Sequence, residues 1–246
     1  VGNIQVNNRI VTQDVAKAAD LTALIAEYNV FAGPIGAVPV GTIGGWQIMD
    51  RRVTTDAGES TLGQLIADAQ LASTVSTAGA QIAFMNPGGI RANLDVGPIT
   101  HAEAFAVQPF SNIVTTKTLT GAQIKTVLEQ QFSVNSLANP GAVGSTARSQ
   151  GPVILQVSAG FSYTWDRDAP LGSKVSGITL DGTPLNLAAN YRVTMNNFIG
   201  AGGDDFPAFT LGTNELTGLD DLVVLEAYLA AHNPYTPADL TGGANQ

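Results

Sequence analysis

Asn86-Pro87-Gly88-Gly89-Ile90-Arg91 holds the residue types of a ligand site in one short stretch. It follows Gln81–Met85, an apolar run with the length and flanks of a buried strand, and Pro87 ends that strand because it has no N–H for a ladder. Gly88 and Gly89 leave the backbone bare, so a ligand can approach it closely. Arg91 adds a rigid five-donor fork that suits phosphate or carboxylate. A second segment, Gln108-Pro109-Phe110-Ser111-Asn112, carries Phe110 on a connection that Pro109 makes irregular. A third, Asn196–Phe206, places Phe198 ahead of a glycine-rich loop that ends in Asp204 and Asp205. Aromatic faces stack on planar ligands, and a carboxylate accepts two hydroxyl donors well.

Hydrolytic chemistry is missing. The chain has two histidines, His101 and His232, and neither stands in a His-x-His or His-x-Asp spacing. Both read as surface or capping residues. There is no Gly-x-Ser-x-Gly elbow and no cysteine, so thiolate chemistry and disulfides are excluded. Gly200–Gly203 opens no βαβ unit and is not a dinucleotide fingerprint. The net charge of −9, with only 11 Lys plus Arg, argues against binding long nucleic acids but leaves room for one small nucleotide. No apolar run reaches the ~18 residues that span a bilayer. Val1 is not followed by the basic stretch and apolar core of a leader, so the expectation is a mature fragment or a piece cut from a longer protein.

The elements that must hold these loops are legible in part. Asp14 can cap a helix over Val15–Tyr28, with Leu21, Leu24, Ile25 and Tyr28 on one face, and Gly33 and Pro34 break it. Strand-like patterns cover Ile4–Ile10, Ile35–Ile43 and Trp46–Val53. A helix runs from Ser60 to Val75 on the stripe Leu62, Leu65, Ile66 and Ala69. Thr100-x-x-Glu103 and Thr120-x-x-Gln123 are capping boxes that open helices over His101–Val107 and Gly121–Phe132, with a β-rich run, Ile113–Leu119, between them. Ser133–Pro152 lacks periodicity and reads as a mobile surface loop. Val153–Val157, Phe161–Trp165 and Tyr191–Met195 read as strands, with Phe161, Tyr163 and Trp165 packed in the core. Asp181-Gly182 marks a hairpin turn. Phe206 reads as core, and Leu219–Ala231 as a last helix stopped by Asn233-Pro234. Strands and helices mix without strict βαβ alternation, so the expected class is α+β with mixed sheets.

Asn-x-Gly-Gly-x-Arg at 86–91, Pro109-Phe110, and Asn197-Phe198 with Gly-Gly-Asp six residues beyond the Phe occur in this order. Together they resemble the C-terminal domain of the 5'-nucleotidase family, secreted and periplasmic nucleotide phosphohydrolases. Glu59-Ser60-Thr61-Leu62-Gly63-Gln64-Leu65 matches a further signature of that family, and the resemblance covers roughly residues 40–232. It implies layered mixed sheets flanked by helices. It implies that residues 1–35 are the end of a metallophosphatase domain plus a linker helix, and that 36–246 form the substrate-binding domain. Two divalent metal ions would lie in the N-terminal domain, none in this chain. The family rotates its C-terminal domain to carry substrate to those metals, which makes the 15–28 helix the expected hinge region.

The resemblance also implies roles. Phe110 and Phe198 would grip the two faces of a base, where stacking is worth roughly 1–3 kcal/mol. Asp204 would accept from the ribose hydroxyls, and Asp205 could share or exchange that role. Asn86 would meet the base or ribose edge beside Gly88 and Gly89, and Arg91 the ribose or phosphate. One departure stands out: Gly58 occupies a position where the family commonly has a substrate-holding Arg, unless Arg51 or Arg52 reaches in. Two other readings share these residues, a non-catalytic nucleoside-binding module and a relative acting on another phosphate or a sulfur substrate.

Overall fold

In this computed structural model the residues described are 10, 12, 14–45, 48–52 and 54–237. Most of the Ile4–Ile10 strand, and positions 46, 47 and 53 of the Trp46–Val53 strand, lie outside them. The elements run α1 (Ala19–Gly36), β1 (Pro39–Ile43), α2 (Thr61–Ala78), β2 (Ile82–Met85), β3 (Gly97–Thr100), α3 (His101–Val107), β4 (Ile113–Thr120) and α4 (Gly121–Gln130). There follow β5 (Ser133–Val134), β6 (Thr146–Ala147), β7 (Gln156–Val157), β8 (Phe161–Trp165), β9 (Val175–Leu180), β10 (Thr183–Pro184), β11 (Asn190–Asn196), α5 (Asn197–Gly200), β12 (Thr213–Asp220) and α6 (Asp221–Ala231).

A mixed sheet in the order β12-β4-β11-β2-β7 is the centre of the fold, with β11 and β2 parallel and its other pairs antiparallel. Alternation along β2 divides the core. Ile82 and Phe84 face one layer, where Ile124, Val127 and Leu128 of α4 pack with Phe161 and Tyr163 of β8. Met85 faces the other, where Leu62, Leu65 and Ile66 of α2 meet Leu225 and Leu229 of α6. A chain of buried hydroxyls crosses under α2: Thr194 lies 2.8 Å from both Thr74 and Thr116, so the polar atoms of the central strand are paired where water cannot reach. The α+β class and the layered arrangement of sheets and helices are those expected.

Local chemistry explains several boundaries. Both capping boxes form, and α3 and α4 start where they dictate. The hairpin between β9 and β10 turns at Asp181 and Gly182, both with positive φ. Ser60 caps α2 by accepting from Gly63 N–H, while Gln156 Oε1 accepts from Ser60 N–H, so the Glu59–Leu65 signature here serves packing between α2 and β7.

Several expectations need correction, among them the 35–43 strand, which begins at Pro39, and the 153–157 strand, which pairs only at Gln156–Val157. The first helix spans Ala19–Gly36, because Pro34 falls in its last turn, where a missing N–H removes one bond and does not stop the chain. No residue of α1 is buried, and its large apolar side chains stay exposed. The 133–152 segment is not a free loop. It pairs β5 with β6, Arg148 N–H donates to Phe132 O, and Asn135 bonds back to Gln130 and Ser133. The 46–53 strand reduces, among its described residues, to a single bridge between Met49 and Leu94. Leu219 belongs to β12, and α6 begins after Asp220, whose carboxylate accepts from Leu222 N–H.

Candidate functional site

β2 and β11 are parallel neighbours, so their C-terminal ends emerge side by side. The loops beyond them, with the loop between α3 and β4, enclose a cleft of about 460 Å³ lined by Asn86, Gly88, Gly89, Arg91, Phe110, Asn112, Phe198 and Asp204. That volume falls in the range of small-molecule sites. All seven residues singled out in the sequence line this one cleft.

Three side chains lock two of the loops together. Asn196 Oδ1 accepts from Ile199 N–H and caps α5, the short helix that bears Phe198. Its Nδ2 donates to Asn86 Oδ1 at 2.8 Å, and Asn86 Nδ2 donates to Asp204 Oδ2 at 2.7 Å. Asn86 is buried, and its side-chain amide is bonded to Asn196 and Asp204. Asp204 and Asp205 part company: Asp204 faces the cleft, while the Asp205 carboxylate lies 3.6 Å from Arg148 Nη1. Gly88 lies close enough that a Cβ there would stand 3.2 Å from Asp204 Oδ2, so a side chain would crowd the acceptor.

Phe110 and Phe198 are about half exposed, at 53% and 47%, while Phe206 is fully buried as expected. Two large aromatics left open at a cleft made of ordered loops are available for a ligand's faces. Arg91 Nη1 donates to Gly88 O at 3.1 Å, and its guanidinium carbon lies 5.6 Å from the Phe110 ring centroid. The fork is thus partly engaged, with the rest open to the cleft. Arg51 Nη1 instead donates to Ile90 O at 3.3 Å, behind the loop.

The Phe110 loop is held from beneath by Asp221 at the start of α6. Asp221 Oδ2 accepts from Gln108 Nε2 and Asn112 Nδ2, each at 3.3 Å, and Asp221 N–H donates to Asn112 O. Burial pushes the Asp221 carboxyl up to about 6, with Asp220 acting the same way and the Asn112 hydrogen bond opposing. Asn197 Oδ1 accepts from Ile113 N–H and ties this loop to α5. Asn112 was not singled out from the sequence as a site residue. Its place two positions after Phe110, on a Pro-broken connection, was the available signal.

No cluster of three or more His, Cys, Asp or Glu that could hold a metal occurs among the described residues. His101 Nδ1 lies 2.6 Å from Glu226 Oε1, and His232 stacks on Tyr228, both away from the cleft.

Residues 34–211 match the family described as 5'-nucleotidase, C-terminal domain. The chain belongs to the 5'-nucleotidase C-terminal-domain family. Among relatives of this 5'-nucleotidase domain, the trifunctional nucleotide phosphoesterase protein YfkN of Bacillus subtilis is 40% identical over 157 residues, 62% of the chain and 10% of that protein. The cell wall protein Lmo0130 of Listeria monocytogenes is 34% identical over 225 residues, 85% of the chain and 26% of that protein. The crystal structure of a 5'-nucleotidase precursor from Thermus thermophilus superposes with a TM-score of 0.71 at 32% identity, covering 89% of the chain and 41% of that structure. The 5'-nucleotidase domain described here therefore spans between a tenth and about two fifths of these relatives.

Proposed function

We propose that this 5'-nucleotidase C-terminal domain binds the nucleoside part of a nucleotide for a metal-dependent phosphohydrolase that acts outside the cytoplasm. The observation that carries this reading is the single cleft that gathers Phe110, Phe198, Asp204 and Arg91 from three separated loops. The phenylalanine rings take the base between them, Asp204 accepts from the ribose hydroxyls, and Arg91 meets the phosphate side. Asn86, held by Asn196, orients the Asp204 carboxylate. Its two oxygens can serve Asn86 and the ribose together.

The described residues offer no donor set for a metal. Two divalent ions and the water they activate therefore belong, in this reading, to an N-terminal metallophosphatase domain. This chain's share of the work is to bind and orient the substrate. The open apolar face of α1, with Leu21, Ile25 and Phe31 all exposed, favours such a second domain over a free-standing nucleoside-binding module.

The test uses these 246 residues. Calorimetric titration is expected to show adenosine binding more tightly than 2'-deoxyadenosine, and Asp204→Ala is expected to abolish that preference. Phosphate release from AMP with Mn²⁺, Zn²⁺ or Mg²⁺ is expected to be absent. Equal binding of the two nucleosides by the wild type removes the ribose role, and metal-dependent phosphate release by a clean preparation removes the division of labour.

A further inference from the structure

The turn that presents Asp204 is built against its backbone preference. Asp204 and Asp205 are consecutive left-handed residues, with φ of +53° and +61°. L-residues disfavour this region, Asp less than most, and two in succession are held there by their surroundings. Much of what imposes it comes from Arg148, a residue that does not line the cleft. Arg148 Nη2 donates to Asp204 O at 2.8 Å, to Gln130 O at 3.1 Å and, at longer range, to Asp205 O at 3.4 Å. Its Nη1 stands 3.6 Å from Asp205 Oδ2, and its Cζ lies 5.3 Å from the Phe206 ring centroid. The side chain is 10% exposed. Asn135 Nδ2 adds a bond to Asp205 O at 2.8 Å. The Asp204 carbonyl and the Asp205 carboxylate thus point back to Arg148, and the Asp204 carboxylate points out to Asn86 and the cleft.

We propose that Arg148 is a positioning residue for sugar recognition: it fixes the left-handed Asp204-Asp205 pair so that Asp204 alone faces the ribose. This rests on the reading that Asp204 accepts from the ribose hydroxyls. A planar fork suits the task, because one guanidinium reaches carbonyls of α4 and of the turn together while stacking on Phe206. An ammonium has the charge without that span. Removing the fork frees the turn to relax or to exchange Asp205 for Asp204, and the loss falls on the ribose contact rather than on base stacking.

The experiment compares adenosine with 2'-deoxyadenosine in three variants, alongside thermal melts. Arg148→Met keeps the stem over Phe206 and removes the donors. It is expected to weaken adenosine about tenfold, the scale of a lost charge-assisted hydrogen bond, and to leave 2'-deoxyadenosine within about twofold. Arg148→Lys is expected to restore part of the adenosine preference. Asn135→Ala removes a bond to the same turn without touching Asp204 O and is expected to keep the preference. A wild type that discriminates, with Arg148→Met discriminating equally or weakening both nucleosides by one factor, overturns the proposal. A wild type with no preference overturns the ribose reading first, and the role of Arg148 falls with it. If Arg148→Met does not fold, Arg148→Lys decides: an undiminished adenosine preference in that variant rejects the proposal, and a reduced one supports it.

Discussion

Phe198→Ala separates a ligand-binding ring from a core ring. Phe198 is 47% exposed, so only about half of a phenylalanine's ~2–3 kcal/mol of burial is at stake for the fold. That is about 1–1.5 kcal/mol, or a fall in Tm of roughly 3–6 °C for a domain of this size. The segment does not depend on the ring to keep its shape. Asn196 caps α5, Ile199 is fully buried, and Asn197 Oδ1 accepts from Ile113 N–H. If the exposed face stacks on a base, its loss removes roughly 1–3 kcal/mol of binding, a ~5- to 150-fold weaker Kd. Calorimetry with adenosine measures the second quantity and a circular-dichroism melt the first. Phe198→Leu and Phe198→Tyr refine the result: Tyr keeps a π-face and is expected to bind within a few-fold of wild type, while Leu is not. Affinity within twofold of wild type for a well-folded Phe198→Ala refutes the clamp. A cooperative loss of structure at ordinary temperature refutes the burial argument and returns Phe198 to the core.

Two further outcomes are expected. AMP and adenosine should bind within about tenfold of each other, ~1.4 kcal/mol, because Arg91 is the one cation among the described residues lining the cleft; an AMP advantage of a hundredfold that fades in salt indicates a second cation, with Arg51→Ala and Arg52→Ala as the variants to make. The folded Asp221 carboxyl, pushed up to about 6, holds its proton more tightly than the unfolded one at 3.8, so its contribution to stability is full below about pH 4 and declines as pH rises toward 6, by on the order of 3 kcal/mol at most. Melts of wild type and Asp221→Asn across pH 4–7 isolate this contribution, and a difference between the two that does not change with pH rejects it.

The parts of the fold legible in the sequence are those fixed by local chemistry. Two capping boxes set the first residues of α3 and α4, and Asp181-Gly182 set a turn, because side chains within three residues settle each of them. β12 escaped notice since it is an edge strand exposed along nearly its whole length, without the alternation that burial on one face imposes. The 133–152 segment escaped for another reason. Part of what holds it comes from Asn135 and Arg148 bonding to residues 70 and 56 positions away, and nothing local announces such contacts. The cleft divides in the same way. The residues open to a ligand sit in recognisable short motifs, while Arg148 and Asp221, which hold those loops in place, stand in no motif and are separated from them in sequence.

Gly58 shows how a departure from a family pattern can be built into the backbone. The position at which the resemblance implies a substrate-holding Arg has φ +95° here, in the left-handed region, and a Cβ on it would stand 2.8 Å from Ile154 Cγ1 and 3.1 Å from Ile154 Cβ. Any side chain there meets both backbone strain and the branched Cβ of a buried neighbour, which cannot swing away as a flexible chain end would. Its carbonyl is engaged as well, accepting from Gln156 Nε2, the same side chain whose Oε1 caps the start of α2. The turn before α2 has therefore closed onto β7 as packing, and a cation cannot be regained at this position by one substitution without moving Ile154. On the proposed reading, phosphate-side recognition within this chain falls to Arg91, whose fork is shared between Gly88 O and the face of Phe110. On that reading, the base and the ribose then carry most of the affinity of this cleft.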